Sequence, residues 1–255
     1  MADTIRVEER GESVARIVLA RPPLNVLNIA MLKELCDAVD ALSQRPRLRV
    51  LVIAAEGRVF SAGVDVEDHV GDKVGPMIAA FHGLFRRLAD FEPVTVAEVH
   101  APALGGGCEL AAFCDLVLAS EEATFGQPEI QLGLFPPVSA AAFPYFVHGK
   151  KTLELMLMGE RVDAREAKRI GLVNQTWPAE HFADEAASFV ERLASKSGVA
   201  LKLAKKAYYA GIDVPFRDAL DRAERIYLRE LMASRDALEG IDAFREKREP
   251  RWDDA

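Results

Sequence analysis

Two glutamates and a run of three glycines carry the chemistry open to this sequence. Glu109 closely follows Gly105-Gly106-Gly107 in EVHAPALGGGCELAAF, and Glu129 comes further on in GQPEI. The glycines follow an apolar run, Val94 to Val99, that reads as a buried strand. They precede Cys108 to Phe113, which has helical composition. The order is strand, glycine turn, helix start. The first N–H groups of a helix lack intrahelical acceptors, and the helix dipole favours negative charge there. An oxyanion therefore suits the turn. Glu109 falls in the first helical turn, and Pro128 stiffens the turn that presents Glu129. An anion site made of glycine backbone, flanked by two carboxylates, is equipped to move protons beside a carbonyl.

Either feature alone has a plainer use. Three glycines before a helix also make a tight turn, and a first-turn glutamate also complements the dipole. A second element upstream favours the chemical use. Arg58-Val59-Phe60-Ser61-Ala62-Gly63-Val64-Asp65-Val66 follows the apolar strand Arg49 to Ala55. It repeats the order of strand, small-residue turn and possible helix start, and it can present another backbone N–H.

VFSAGVDV and APALGGGCELAAFCDLVLAS…ATFGQPEIQLG resemble the crotonase (enoyl-CoA hydratase/isomerase) superfamily. The resemblance runs from about the first strand to the last helix and is most specific between Val59 and Gly133. It implies an α/β fold, a spiral of ββα turns (1–195) with a C-terminal helical region (196–255) that trimerises and covers the coenzyme. It implies an acyl-CoA thioester substrate, with coenzyme A as part of the substrate and no separate cofactor or metal. It places the oxyanion hole on the N–H groups of Val64 and Gly106 and the two hydratase glutamates on Glu109 and Glu129. It places substrate contacts at Ala62, Asp65, Phe135 and Pro136, and at Phe244 and Lys247 in AFREKR. A homotrimer or dimer of trimers is the assembly it implies.

The bulk properties agree with such a protein. The chain has 255 residues, half of them hydrophobic and 28% charged, which suits an ordinary globule. A net charge of −8 argues against nonspecific nucleic-acid binding. The three cysteines, Cys36, Cys108 and Cys114, make neither a disulfide framework nor a metal spacing, and their apolar settings suit packing. MADTIRVEER lacks the apolar run of a leader, and no stretch approaches the ~20 apolar residues of a membrane helix. The expectation is a reduced, cytoplasmic protein with no membrane partner.

The elements that must hold these residues follow from periodicity. Ile5 to Glu9 and Val14 to Ala20 read as strands around a turn at Gly11. Asn28 is placed to cap a helix from Ile29 to Leu42. The polar run Glu67 to Lys73 reads as a mobile loop with His69 exposed in it, and Met77 to Phe91 as an amphipathic helix. Asp115 to Ser120 and Ala123 to Phe125 read as strands, and strand–helix–strand order implies right-handed crossovers. Asp163 and Glu166 have capping-box spacing before a helix that Gly171 stops. Four helices are expected after Ala179: Ala179 to Ser195, Val199 to Ala210, Pro215 to Met232 and Arg235 to Glu246.

Two departures from the family pattern stand out. Glu67 occupies a position where many relatives carry a basic residue for a CoA phosphate. Leu134-Phe135-Pro136-Pro137-Val138-Ser139-Ala140 lacks the usual glycines, and Phe135-Pro136-Pro137-Val138 resembles the branch that hydrates cyclic dienoyl-CoA thioesters. Phe135, Ser139 and Ala140 are expected to shape an acyl pocket for a flat ring. Pro136-Pro137 also suits a helix start. Both glutamates being present favours hydration over isomerisation, thioester cleavage or a non-catalytic CoA-binding role; an ordinary linear 2-enoyl-CoA hydratase is the alternative within hydration.

Overall fold

The computed structural model describes residues 4–254. Residues 1–3, within the stretch on which the expectation about a leader rests, lie outside the described residues, as does residue 255. A hairpin of β1 (Ile5–Arg10) and β2 (Val14–Leu19) opens the chain. β3 (Val50–Ala55), β4 (Val94–Val99), β6 (Leu116–Ser120) and β9 (Gln175–Trp177) extend it into a six-stranded sheet, ordered β1-β2-β3-β4-β6-β9. Beyond the hairpin every pairing is parallel, with Val14 opposite Val50, Val50 opposite Val94 and Val96 opposite Leu116. A small second sheet joins β5 (Ala103–Leu104), β7 (Thr124–Gly126) and β8 (Arg161–Asp163).

β3 and β4 read as continuous apolar runs because both faces of the sheet are covered. Leu51 and Ile53 face a core shared with α1 (Ile29–Ser43), α2 (Val74–Asp90) and α3 (Gly106–Phe113). Val50, Val52 and Ala54 face Phe182, Ala186 and Val190 of α7 (Ala179–Ala194). Burying each such large side chain contributes about 1.5–3 kcal/mol.

The spiral is visible in the order of pairings. β4 passes through β5 to α3, and β6 passes through β7 to the helices α4 (Pro137–Ala142) and α5 (Gly149–Met158). Earlier turns repeat this with single bridges in place of the short strand. β3 passes through Ser61, bridged to Ala103, before α2, and β2 passes through Leu27, bridged to Val64, before α1. Each turn is a long strand, a short pairing and a helix. α6 (Ala164–Arg169) completes the spiral before β9.

Local expectations hold at Asn28, whose Oδ1 accepts from Met31 N at 2.9 Å and caps α1. They fail in three places. Glu67 to Lys73 is no open loop: Val66–Asp68 and Gly71–Lys73 form 3₁₀ turns, and buried Asp68 accepts from Ile29 N at 3.2 Å and pairs with Lys73 at 3.4 Å. Acidic side chains there serve backbone N–H groups. His69 is half-buried, with Nδ1 2.8 Å from Asp65 O. Only half of the capping box at α6 forms. Asp163 accepts from Glu166 N at 2.7 Å, while the Glu166 carboxylate turns to Arg169, at 2.6 Å.

Three further helices follow, α8 (Gly198–Ala210), α9 (Phe216–Arg229) and α10 (Arg235–Glu246). The helix expected to reach Met232 breaks at Glu230 and resumes as a 3₁₀ turn, Leu231–Ala233. Buried ion pairs tie this end to the core. Lys205 bonds Asp115 and the carbonyls of Phe91 and Pro93, and Arg49 pairs with Asp254. Among the described residues, no helix is long and apolar enough to cross a membrane.

Asn25 fixes the segment that leads to Val64. It is fully buried in the left-handed region (φ 48°). Its Oδ1 accepts from Arg21 N, its Nδ2 donates to Glu56 O and Val59 O, and its own carbonyl accepts from Ser61 Oγ at 2.7 Å. Asn25→Ala removes both amide functions and with them the bonds to Arg21 N, Glu56 O and Val59 O, each worth about 0.5–1.5 kcal/mol. The expected result is a loss of about 2–4 kcal/mol in chemical denaturation; a loss near zero would show that the segment holds itself.

Candidate active site

The site lies where two turns of the spiral come within contact of each other. Gly63 (φ 102°) and Gly105 (φ 52°) adopt conformations that disfavour a side chain. Closeness is the second demand. A Cβ on Gly63 would stand 3.0 Å from Leu104 O and 3.3 Å from Gly106 N. A Cβ on Gly106 would stand 2.7 Å from Val64 Cγ2, and one on Gly107 would meet Ser61 at 2.5 Å. Only glycine lets the segments 61–64 and 104–107 lie this close.

That approach brings the Val64 and Gly106 amides together. Gly106 is the first residue of α3, so its N–H has no intrahelical acceptor. Val64 is skipped by its bridge: Leu27 N donates to Gly63 O, and Asp65 N donates to Leu27 O. Neither the Val64 nor the Gly106 N–H has an acceptor among the described residues. Two neighbouring free donors, one at a helix N-terminus, suit a carbonyl oxygen that gains negative charge.

Both glutamates border this spot. Glu129 sits in a 3₁₀ turn (Pro128–Leu132) with its Oε1 2.5 Å from where a Gly105 Cβ would stand. Its Oε2 is buried and has no hydrogen-bond partner. Glu109 is 1% exposed, and its Oε1 accepts from Ser139 N at 2.7 Å. Burial drives its pKa up to about 7, aided by the Glu129 charge and opposed by donors on Ser139 and Val138. Burial likewise drives Glu129 up to about 7. Neighbouring carboxyls so placed titrate as a pair and hold one proton between them near neutral pH.

The other expected contacts divide. Ala62 is half-buried, with its N donating to Leu24 O at 2.9 Å, so it builds the turn. Asp65 accepts from Glu67 N at 3.1 Å and stands 3.7 Å from Arg21, a capping role. Pro136 is buried and caps α4, with Pro137 in its first turn. Phe135 stands 65% exposed, so the expected aromatic wall is not closed within one chain. Ser139 corrects another expectation. It is fully buried and bonds Glu109, so it positions the carboxylate instead of leaving space for an acyl group. Ala140 is exposed. Phe244 is 85% exposed, and Lys247 adopts the left-handed conformation that ends α10. Cys108 and Cys114 are buried thiols whose pKa values burial raises. A cavity of about 880 Å³ lies behind α4, reached by Pro137, Val138, Ala112 and His82, but lined by neither glutamate.

Sequence reading missed Asn25, Ser61 and Gln127 as supports of the site. Gln127 is fully buried, and its Nε2 donates to Ser139 Oγ at 2.6 Å. Its place beside Glu129 in GQPEI is the one local signal it carries.

Glu109→Gln and Glu129→Gln keep size and hydrogen bonding but end proton transfer. Each should lower turnover roughly 10²–10⁴-fold while leaving acyl-CoA binding measurable by calorimetry. A variant with wild-type turnover would remove its glutamate from the chemistry. The shared proton also sets the pH response. Below about 7 the pair gains a second proton and loses its base; above it the pair loses its acid. Turnover should follow a bell centred near neutral pH, and a flat profile from acid to alkaline pH would contradict the pairing.

Residues 9–255 match the family described as Enoyl-CoA hydratase/isomerase. A cyclohexa-1,5-dienecarbonyl-CoA hydratase from Thauera aromatica is 38% identical over 248 residues, spanning 96% of this chain and 95% of that protein. A probable enoyl-CoA hydratase from Rhizobium meliloti (strain 1021) is 37% identical, spanning 98% of each chain. The crystal structure of an enoyl-CoA hydratase from Bacillus anthracis matches with a TM-score of 0.94 at 29% identity, covering 99% of this chain and 100% of that one. Because the family match, the relatives and the fold likeness each extend over nearly the whole chain, this protein belongs to the enoyl-CoA hydratase/isomerase (crotonase) family and is an enzyme of its hydratase type.

Proposed function

We propose that this enzyme hydrates a cyclic dienoyl-CoA thioester of the cyclohexa-1,5-diene-1-carbonyl type. The observation that carries hydration is the placement of both carboxyls: Glu129 against Gly105, and Glu109 buried beside it. In the proposed reaction the thioester oxygen accepts from the N–H groups of Val64 and Gly106. Glu109 takes a proton from water as its oxygen adds to the β-carbon of the conjugated system. Glu129 delivers a proton to the α-carbon, and the enolate charge collapses. Water contributes one hydroxide and one proton, so atoms and charge balance, and the pair ends with its proton exchanged between members. The same geometry serves dehydration in reverse. Coenzyme A enters as part of the substrate.

The ring preference rests on two supports. Phe135-Pro136-Pro137-Val138 replaces a glycine-rich turn with stiffer, bulkier residues close to the pair. The Thauera aromatica relative at 38% identity is named for that substrate class. An ordinary linear 2-enoyl-CoA is the second reading. It is favoured by the exposure of Phe135 and by the helix-starting role of Pro137, which account for the turn without a ring. We further propose a homotrimer or dimer of trimers formed through the C-terminal helices. Apolar residues left exposed there, Phe216, Tyr227, Leu228 and Phe244, support it, and a second copy against the turn would close the wall that Phe135 leaves open.

Loss of the conjugated-thioester absorbance measures both substrates. Cyclohexa-1,5-diene-1-carbonyl-CoA should exceed crotonyl-CoA in kcat/KM by roughly 10–200-fold, the scale of discrimination by apolar fit. Pro137→Gly should narrow that gap. Crotonyl-CoA as the better substrate would leave the turn as a helix start only and make the linear reading correct.

A further inference from the structure

Ser139 presents two groups to Glu109. Its N–H donates to Glu109 Oε1 at 2.7 Å, and its hydroxyl stands beside the same carboxylate, where it favours the ionised form. Gln127 Nε2 reaches that hydroxyl oxygen from the other side, at 2.6 Å. An amide N–H can only donate, so the hydroxyl oxygen is occupied as acceptor and its own hydrogen is directed elsewhere. Glu109, whose Oε1 the Ser139 N–H already holds, is the carboxylate beside it. Ser139 and Gln127 are both fully buried, so water does not compete for these bonds. The other carboxyl is held less, since Glu129 Oε2 is buried without a partner and the donor acting on that carboxyl is the residue's own backbone N–H.

We propose that Ser139 is the positioning residue that decides which glutamate of the pair is the base: its hydroxyl, turned by Gln127, donates to Glu109 and leaves the shared proton on Glu129. The Ser139 N–H bond to Glu109 and the Gln127 bond to Ser139 are in the structure; the hydroxyl bond to Glu109 is the inference, and its consequence for catalysis rests on the hydratase reading. The groups facing Glu109 are few. Glu129, from the 3₁₀ turn, is the charged group that acts on it. α4 supplies the neutral donors of Val138 and Ser139. α3 supplies the Cys108 thiol, which burial and both glutamates keep protonated. Gln127, at the end of β7, reaches Glu109 only through Ser139.

Donors to a carboxylate lower its pKa. Removing one must raise the Glu109 pKa and carry the acid limb of the rate profile with it. Ser139→Ala keeps the backbone N–H and deletes the hydroxyl; Ser139→Thr keeps both. In Ser139→Ala the acid limb of kcat/KM should move up by about one pH unit, the size of one hydrogen bond to a charged group. Turnover at neutral pH should fall about tenfold through kcat, with KM little changed, and should return in part as pH is raised. Ser139→Thr should restore the wild-type limb.

A second measurement does not need a substrate. The Glu109 side-chain carboxyl, followed by ¹³C NMR in Glu129→Gln protein, should titrate about one pH unit higher when Ser139→Ala is added. An unchanged titration, or a Ser139→Ala rate that falls equally at all pH values, would overturn the proposal and leave Ser139 a packing residue. A wild-type protein that hydrates no enoyl-CoA would overturn the hydratase reading alone, because the titration still decides the role of Ser139.

Discussion

The close contact between segments 61–64 and 104–107 is the constraint on which the rest of the site depends. Backbones come within this distance only where side chains are absent, and a Cβ on Gly63, Gly106 or Gly107 would press on Leu104 O, Val64 Cγ2 or Ser61. The contact has two effects. It turns two otherwise ordinary N–H groups into neighbours, and it leaves them without acceptors. Val64 is half-buried and Gly106 buried, and a donor shielded from water without an acceptor is costly in a folded protein, so the two N–H groups are open to an anionic acceptor. Asn25 and Ser61 hold one segment, and the pairing of Gly105 N with Gly126 O holds the other.

Burial then does for the carboxyls what contact does for the amides. Glu109 and Glu129 are pushed up to about 7 chiefly because the surrounding core excludes water. Carboxyls held in this range can be protonated or ionised near neutral pH, the two forms that proton transfer needs. What distinguishes them is hydrogen bonding. α4 points donors at Glu109, while an oxygen of Glu129 has none. The helix start created by Pro136 and Pro137 therefore matters twice. It places Val138 and Ser139 over Glu109, and it leaves Phe135 outside the chain's own packing.

The C-terminal helices reach the site indirectly. Lys205 and Tyr209 grip Asp115 just before β6, and Arg49 grips Asp254 at the start of β3. These pairs are largely buried, so breaking one partner leaves a desolvated charge behind. They lock α8 and the C-terminal tail onto the parallel strands whose ends carry the two glycine turns.

Much of this was legible in the sequence. Continuous apolar runs gave β3 and β4, helical spacing gave α1 and α2, and Asn28 gave a cap, because each depends on neighbours in the chain. The glycine turn and both glutamates were legible for the same reason, since strand, Gly105-Gly106-Gly107 and helix follow in order. The spiral itself was hidden. Its short pairings are single bridges at Leu27 and Ser61, too brief to leave a periodic pattern. Only the tertiary structure decided that Gly63 and Gly106 touch, that Asn25 anchors the loop before Val64, and that Glu67 to Lys73 folds around Asp68. It also decided that Ser139 faces Glu109 and not an acyl group, and that Asp65 caps a turn. Local spacing sets which way a residue points along its own element. Which partner it meets, and whether water is excluded there, depends on segments tens of residues away, and the raised pKa values of the two glutamates follow from that burial.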